Sequence, residues 1–227
     1  MKVKIIATIG PATKEDKSLK RLAKAGIDIG RINMKYASLR EAIRISKNLS
    51  KFGCKVLLDI KGDKQLKILN KIHFDYLALS FTEKADDIKK IRKLFSKKIF
   101  VIAKIENKKG VRNIDSIIDE SDGVMVARGD LGRHVPLEKL PIFQKIIIRK
   151  CNEKGKFVIT ATEMLLSMVH SKIPERAEVS DVANAVLDGS DALMLSEETA
   201  IGKHAVGAVS MMRKIIAETI KNRRLFR

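Results

Sequence analysis

Residues 99–130 read IFVIAKIENKKGVRNIDSIIDESDGVMVARGD, and the fold follows from how that stretch is built. Two apolar, β-branched runs, IFVIAKIE (99–106) and GVMVARGD (123–130), enclose a segment with a helical pattern. Runs this apolar, bounded by helices, are those of parallel strands buried on both faces. Each closes on charged residues, Lys104 and Glu106 in the first, Arg128 and Asp130 in the second.

Six more runs of the same kind lie on either side. KIIATIG (4–10), DIGRINM (28–34), KVLLDIKG (55–62) and YLALSF (76–81) come before it, FVITATEM (157–164) and ALMLSEET (192–199) after it. Between them apolar residues recur at helical spacing, as at Leu39, Ala42, Ile43 and Ile45 and around Ile142 and Ile146. Eight β/α units in a chain of this length average about 28 residues each, the size of a compact barrel. A six-stranded open sheet is the alternative, and it leaves two runs unused. The expected fold class is α/β, a (β/α)8 TIM barrel in a single domain.

The 227 residues include 46 Lys+Arg against 27 Asp+Glu, a formal net charge of +19, and 45% are hydrophobic. That apolar fraction supplies a core and excludes a disordered chain. A charge this high calls for a test of nucleic-acid binding, and its distribution argues against it. Lys89, Lys90, Arg92, Lys93, Lys97 and Lys98 fall on a helix whose apolar positions are Ile88, Ile91, Leu94 and Phe95, and aromatics make up 4% with no Trp. The reading is lysine-rich, solvated helix faces. No apolar window approaches 18 residues, so no membrane span is expected. The opening MKVKIIATIG has no signal-peptide core. Cys54 and Cys151 share no metal-ligand spacing, and free buried thiols with a cytoplasmic location are expected.

In a (β/α)8 barrel the active site lies at the C-terminal face, so polar residues closing each strand are the candidates. Those ends are Thr8 and Gly10, Arg31 and Asn33, Asp59 and Lys61, Ser80, Lys104 with Glu106 and Asn107, Arg128 and Asp130, Thr160 and Thr162, and Ser196 and Glu198. Glu106 and Asp130 end adjacent strands, and two carboxylates are what a hard divalent cation such as Mg2+ accepts. Lys104 lies two residues before Glu106 and so points the same way, one layer below. A lysine and an arginine beside a metal suit an anionic substrate, a phosphate or a carboxylate. GDLG (129–132) can present backbone N–H groups to such an anion.

The stretch AKIENKKGVRNIDSIIDESDGVMVARGDLG (103–132) closely resembles the pyruvate kinase family. The resemblance continues through VITATEMLLSM (158–168) and RAEVSDVANAVLDGSDALMLSEETA (176–200), and upstream through IIATIGPAT (5–13), GIDIGRINM (26–34) and LLDIKG (57–62). It implies phosphoryl transfer from phosphoenolpyruvate to ADP, giving pyruvate and ATP, with Mg2+ and usually K+. By motif, Glu106 and Asp130 resemble the Mg2+ ligands, and Lys104 the lysine beside the transferring phosphoryl group. Thr162, with the backbone at Gly129 and Asp130, resembles the group holding the substrate's carboxylate or phosphate. Arg31 resembles the phosphate-contacting arginine, Asn33 and Asp59 the monovalent-cation ligands, and Ser196 the serine of a proton relay to the enolate. RAEVSDVANAVLDG resembles part of a barrel–barrel interface, so a homodimer is expected.

The departures are as specific. Twelve residues separate IKGD (60–63) from YLALSF, where the family carries a β-rich lid domain. The expected organisation is therefore residues 1–227 as the catalytic barrel, the lid reduced to a loop near 63–75, with neither the C-terminal regulatory domain nor the family's N-terminal segment. Where the family has NFSHG and KGPEIR, this chain has Asn33-Met34-Lys35-Tyr36-Ala37 and Lys61-Gly62-Asp63-Lys64-Gln65-Leu66. Lys35 and Lys64 enter the K+ region, where a tethered ammonium can stand in for K+. Three functions fit: a minimal pyruvate kinase; Mg2+-dependent enolpyruvate chemistry (enolisation, decarboxylation or aldol cleavage) without phosphoryl transfer; and a non-catalytic scaffold or partner subunit.

Overall fold

The computed structural model describes residues 2–62, 66–96 and 98–226, with backbone alone for Leu66, Lys67 and Phe226. Lys64 and Lys97 lie outside the described residues. Eight parallel strands, β1 (Lys4–Ile9), β2 (Ile29–Asn33), β3 (Lys55–Ile60), β4 (Tyr76–Leu79), β5 (Phe100–Ile105), β6 (Gly123–Ala127), β7 (Phe157–Ala161) and β8 (Ala192–Leu195), close in sequence order, with β8 pairing back onto β1. The expected (β/α)8 barrel is the observed fold. The main outer helices are α1 (Asp16–Ala25), α2 (Leu39–Lys51), α4 (Ala85–Arg92), α6 (Ile114–Glu120), α8 (Leu140–Glu153), α9 (Arg176–Asp188) and α11 (Ala205–Asn222). Shorter helices α3 (Leu66–Leu69), α5 (Lys108–Arg112), α7 (Arg128–His134) and α10 (Glu197–Ala200) lie in the connections after β3, β5, β6 and β8.

Alternation along each strand splits the core in two. Residues facing outward, such as Ile5, Val56, Val101 and Val158, join the helix faces in one shell. Those facing inward, Ile6, Ile29, Leu57, Ala78, Ile102, Met125, Ile159 and Met194, fill the barrel. The N-terminal end is plugged by Tyr76, Phe100 and Phe157, whose ring centroids stand 5.2 to 6.2 Å apart, with Lys4 Nζ 5.0 Å from the Phe157 ring.

At that same end the chain repeats one device four times. Asp28, Asp75, Asp122 and Asp191 each stand just before an even-numbered strand and accept the N–H of Ile5, Val56, Val101 and Val158 at 2.8 to 2.9 Å. Each also donates its own N–H back to the carbonyl of that same residue. Every odd strand is thereby stapled to its successor through both backbone groups of its second residue. Cations neutralise three of the four: Arg213 at Asp28, Lys55 at Asp75 and Arg92 at Asp122.

Two expectations need correction here. The helix read through Leu94 and Phe95 stops at Arg92, and Leu94 is exposed. Ile142, read as an apolar helix position, is also exposed, whereas Ile147 and Ile148 turn inward. Both cysteines are free and buried as expected, and burial pushes the Cys151 thiol up to about 12. Among the described residues no helix is long and apolar enough to cross a membrane.

Asp122→Ala strands the N–H of Val101 and the guanidinium of Arg92 together. We expect a loss of about 2–3 kcal/mol, read as a melting temperature lower by roughly 4–10 °C. A shift below about 2 °C would show that the staples contribute little.

Candidate active site

Neighbouring strands are staggered, so from β2 to β3 and again from β3 to β4 the inward layer climbs by two residues. In register Arg31 pairs with Leu57, yet its guanidinium reaches Asp59, one layer higher. Asp59 in turn pairs with Ala78 but bonds Ser80, one layer higher again, and Ser80 meets Lys104 at its own level, in line with the Ala78–Ile102 register. This climb brings four charged side chains from β2, β3 and the end of β5 to one point at the C-terminal mouth.

The geometry there is close. Asp59 Oδ2 accepts from Arg31 Nε and Nη2 at 2.9 and 2.7 Å, and Lys104 Nζ stands 3.0 Å from the same oxygen. Lys104 Nζ also lies 2.9 Å from Glu106 Oε1 and 3.0 Å from Ser80 Oγ. Arg31 donates further to Thr8 Oγ1, whose hydroxyl donates to the carbonyl of Leu195. All four ionised groups are buried, at 8%, 2%, 6% and 1% exposure for Arg31, Asp59, Lys104 and Glu106, and the two cations balance the two carboxylates. Burial alone pushes the Asp59 carboxyl up, but the charges of Arg31 and Lys104 and the hydrogen bonds from both outweigh it and hold it below the usual carboxylate range. For Glu106 burial prevails over Lys104 and the carboxyl moves up.

These groups line a cavity of about 380 Å³ with Asn33, Gly129, Asp130, Thr162 and Ser196. Lys35, Tyr36, Lys61, Phe81, Arg133, Glu163 and Glu197 form its rim. The site residues that the family resemblance implies, Lys64 aside, therefore border one space. An adjoining groove of about 470 Å³ is more apolar. Ile9, Pro11, Tyr36, Ala37, Ile45 and Ile201 line it, with the Lys14–Glu41 ion pair (2.9 Å) in its wall. Arg31, Asn33, Tyr36, Thr162, Ser196 and Glu197 border both. The hydroxyl of Ser196 is buried without a hydrogen-bond partner among the described residues.

Backbone strain collects at the same mouth. Phe81, Thr162 and Glu163 hold positive φ (52°, 73° and 53°), at an expense of about 1–3 kcal/mol each. At Phe81 the turn aims its N–H at Glu106 Oε2, 2.5 Å away. At Thr162 it changes the side of the strand. Phe157, Ile159 and Ala161 pack toward the barrel interior, so residue 162 would continue outward. The left-handed turn swings it into the cavity wall, where its Oγ1 accepts the Gly129 N–H at 2.7 Å and donates to the Ala161 carbonyl.

Several strand-end candidates play other parts. Arg128 and Asp130 are not at a strand end, because β6 stops at Ala127 and α7 starts at Arg128. Arg128 stays outside the polar cavity and pairs with Asp181 at 2.7 Å. Thr160 faces the helices and bonds Ser190 at 2.8 Å. Asn107 caps α5 through Gly110 N–H. Strand parity carries the signal for Thr160 and Arg128, since alternate residues leave the interior. Glu198 is fully buried, and its two oxygens take the N–H groups of Leu165 and Ser196 at 3.0 and 2.7 Å. Burial moves its carboxyl up, against those backbone donors.

Glu106, whose oxygens meet Lys104 Nζ and the Phe81 N–H, and the half-exposed Asp130, whose ion pair with Arg133 spans 3.9 Å, supply two hard oxygen donors on one cavity. Such a pair fits Mg2+, which usually takes one or two protein carboxylates and completes its shell with water and substrate oxygens. The two K+ donors are engaged as well. Asp59 already neutralises two cations, and Asn33 Oδ1 accepts the Lys35 N–H at 3.0 Å.

The chain matches the model of the pyruvate kinase barrel domain over residues 42–209. It is 36% identical to the pyruvate kinase of Thermococcus litoralis over 331 residues, covering 96% of this chain and 70% of the relative. That alignment is longer than the chain itself, so part of the relative has no counterpart here. The pyruvate kinase of Trypanoplasma borreli is 54% identical over 157 residues, 69% of this chain and 31% of the relative. The cytosolic pyruvate kinase isozyme of Nicotiana tabacum is 52% identical over 149 residues, 64% of this chain and 29% of the relative. The chain thus spans less than a third of the length of the latter two.

Glu198→Gln turns an amide NH2 toward one of two backbone N–H groups. A loss of about 1–3 kcal/mol is expected, seen as a lower urea midpoint with unchanged slope. An unchanged midpoint would mean that the carboxylate does not organise this mouth.

Proposed function

The chain belongs to the pyruvate kinase family, and on that footing we propose that it transfers the phosphoryl group of phosphoenolpyruvate to ADP. The observation that carries this reading is the buried Arg31–Asp59–Lys104–Glu106 array, opening on a polar cavity that adjoins an apolar groove. Phosphoryl transfer asks a protein for positioning and charge neutralisation more than for covalent help, and this site offers both.

In the proposed mechanism Glu106 and Asp130 hold Mg2+, which when bound offsets charge on the transferring phosphoryl group. Arg31 holds that group from the β2 side, and the Lys104 ammonium stands where the bridging oxygen gains negative charge. The bond from phosphorus to that oxygen breaks as a new one forms to an oxygen of the ADP β-phosphate. The enolate left behind takes a proton at its methylene carbon, and the buried hydroxyl of Ser196, without a hydrogen-bond partner among the described residues, is the group we assign to hold that proton's path. Thr162 orients the substrate carboxylate. The base of ADP lies in the groove against Tyr36, Pro11 and Ile45, with its phosphates toward Arg31. Tyr36 is 75% exposed and so is free to stack on it.

Asp59 and Asn33 are already engaged, which supports turnover that does not depend on K+. Lys35, with Nζ 4.9 Å from the Tyr36 ring, remains the candidate tethered cation. We place the reaction in the cytoplasm. A second reading, enolpyruvate chemistry without phosphoryl transfer, is favoured by the short β3–β4 connection, whose described secondary structure is the four-residue α3. A lid excludes water and completes a catalytic arrangement, and that span is too short for one.

Purified protein with phosphoenolpyruvate, ADP and Mg2+ should form pyruvate and ATP in equal amounts, with less than a twofold change when K+ is replaced by tetramethylammonium. Lys104→Met and Glu106→Gln should each lower the rate at least about a hundredfold. Mg2+-dependent exchange of pyruvate methyl protons without ATP would select the second reading. Absence of both activities would leave a scaffold or partner-subunit role.

A further inference from the structure

We infer that Arg128 is a positioning residue, which holds the Thr162 turn in its left-handed conformation from outside the cavity. Its guanidinium works as a three-way clamp. Nη2 and Nε donate to the Thr162 carbonyl at 2.7 and 3.3 Å, Nη2 also to the Glu163 carbonyl at 3.2 Å, and Nη1 to Asp181 Oδ1 at 2.7 Å and Gln144 Oε1 at 3.3 Å. The two carbonyls it grips belong to the two consecutive residues with positive φ.

A β-branched residue does not keep a left-handed backbone on its own. It stays there when the surroundings over-determine it, and Arg128 is the group that bonds both carbonyls of the turn. Asp181, on α9, fixes the guanidinium against the outer helices. The clamp therefore ties the turn to the rigid shell of the barrel, while the Arg128 side chain stays 10% exposed and outside the polar cavity.

The turn matters because of strand parity. Without it Thr162 continues on the outward side of β7, with Thr160. With it, the Thr162 hydroxyl meets the Gly129 N–H at 2.7 Å and locks the first turn of α7, which carries Asp130, to the end of β7. One guanidinium behind the wall thus registers Thr162, Gly129 and Asp130 relative to one another. Lysine cannot replace it, since a single ammonium lacks the planar fork that reaches a carboxylate and two carbonyls at once.

The kinetic part of this inference rests on the activity proposed above; the structural part does not. The test compares Arg128→Met and Arg128→Lys with Arg92→Met. Arg92 is a control of like construction, bonded to Asp122 and to the carbonyls of Ile99 and Glu120 at the opposite end of the barrel. Hydrogen exchange at the Gly129 amide, followed by NMR, should quicken at least tenfold in both Arg128 variants and stay within threefold of wild type in Arg92→Met. The kcat/KM for phosphoenolpyruvate should fall roughly a hundredfold in both Arg128 variants, and change less than threefold in Arg92→Met. In a Thr162→Ala background, adding Arg128→Met should lower kcat/KM less than threefold, because the residue it acts through is already gone. Unchanged Gly129 exchange in the Arg128 variants, an equal effect of Arg92→Met, or a full hundredfold loss on top of Thr162→Ala would each overturn the inference. A wild-type protein that forms no pyruvate would refute the proposed activity instead, and Gly129 exchange would still decide the role of Arg128.

Discussion

A carboxylate with almost no access to water, Asp59, holds two cations at the mouth of this barrel, and the site depends on it. Arg31 and Lys104 come from different strands and would repel one another in a medium of low dielectric constant. Between them Asp59 supplies the charge that allows both to stay buried, and Glu106 balances the remainder. Removing one member of such a set leaves an uncompensated buried charge, which is far more costly than the net value of the intact pair. The array is therefore kept for what it presents to the cavity, two oriented positive groups beside a pair of oxygen donors.

The two ends of the barrel divide the work. At the N-terminal end four aspartates staple strand to strand, and three aromatic rings close the interior. At the C-terminal end the strands finish in charges, strained turns and the buried Ser196 hydroxyl. A rigid lower layer sets the stagger of the strands, and the stagger brings Arg31, Asp59, Ser80 and Lys104 together at different sequence heights. That division is the usual one in (β/α)8 barrels, where one face serves stability and the other chemistry.

Much of this was legible in the sequence because apolar strands and helical spacing are local signals. All eight runs became strands, and the two-residue spacing of Lys104 and Glu106 correctly put both on one face. The runs overshot at 128–130, 162–164 and 196–199, where the chain leaves the sheet for α7, a left-handed turn and α10. Those departures depend on tertiary bonds such as Arg128 to the Thr162 carbonyl, which no local pattern reports. Parity alone would have turned Thr160 and Arg128 away from the cavity. The four stapling aspartates left a trace that can be read, an Asp just ahead of every second run. The joint grip of Asp59 on Arg31 and Lys104 left none, because it comes from the stagger.

Equilibrium unfolding of Asp59→Asn beside wild type tests the central claim most directly. The folded carboxyl lies below its ordinary value, so its contribution is complete above the unfolded pKa and is lost as pH falls through the lower folded one. At pH 5 to 7 the variant should be less stable by about 3–5 kcal/mol, with the gap closing only below about pH 4. A gap under about 1 kcal/mol at pH 7 would mean that the two cations do not need Asp59, and would contradict the account.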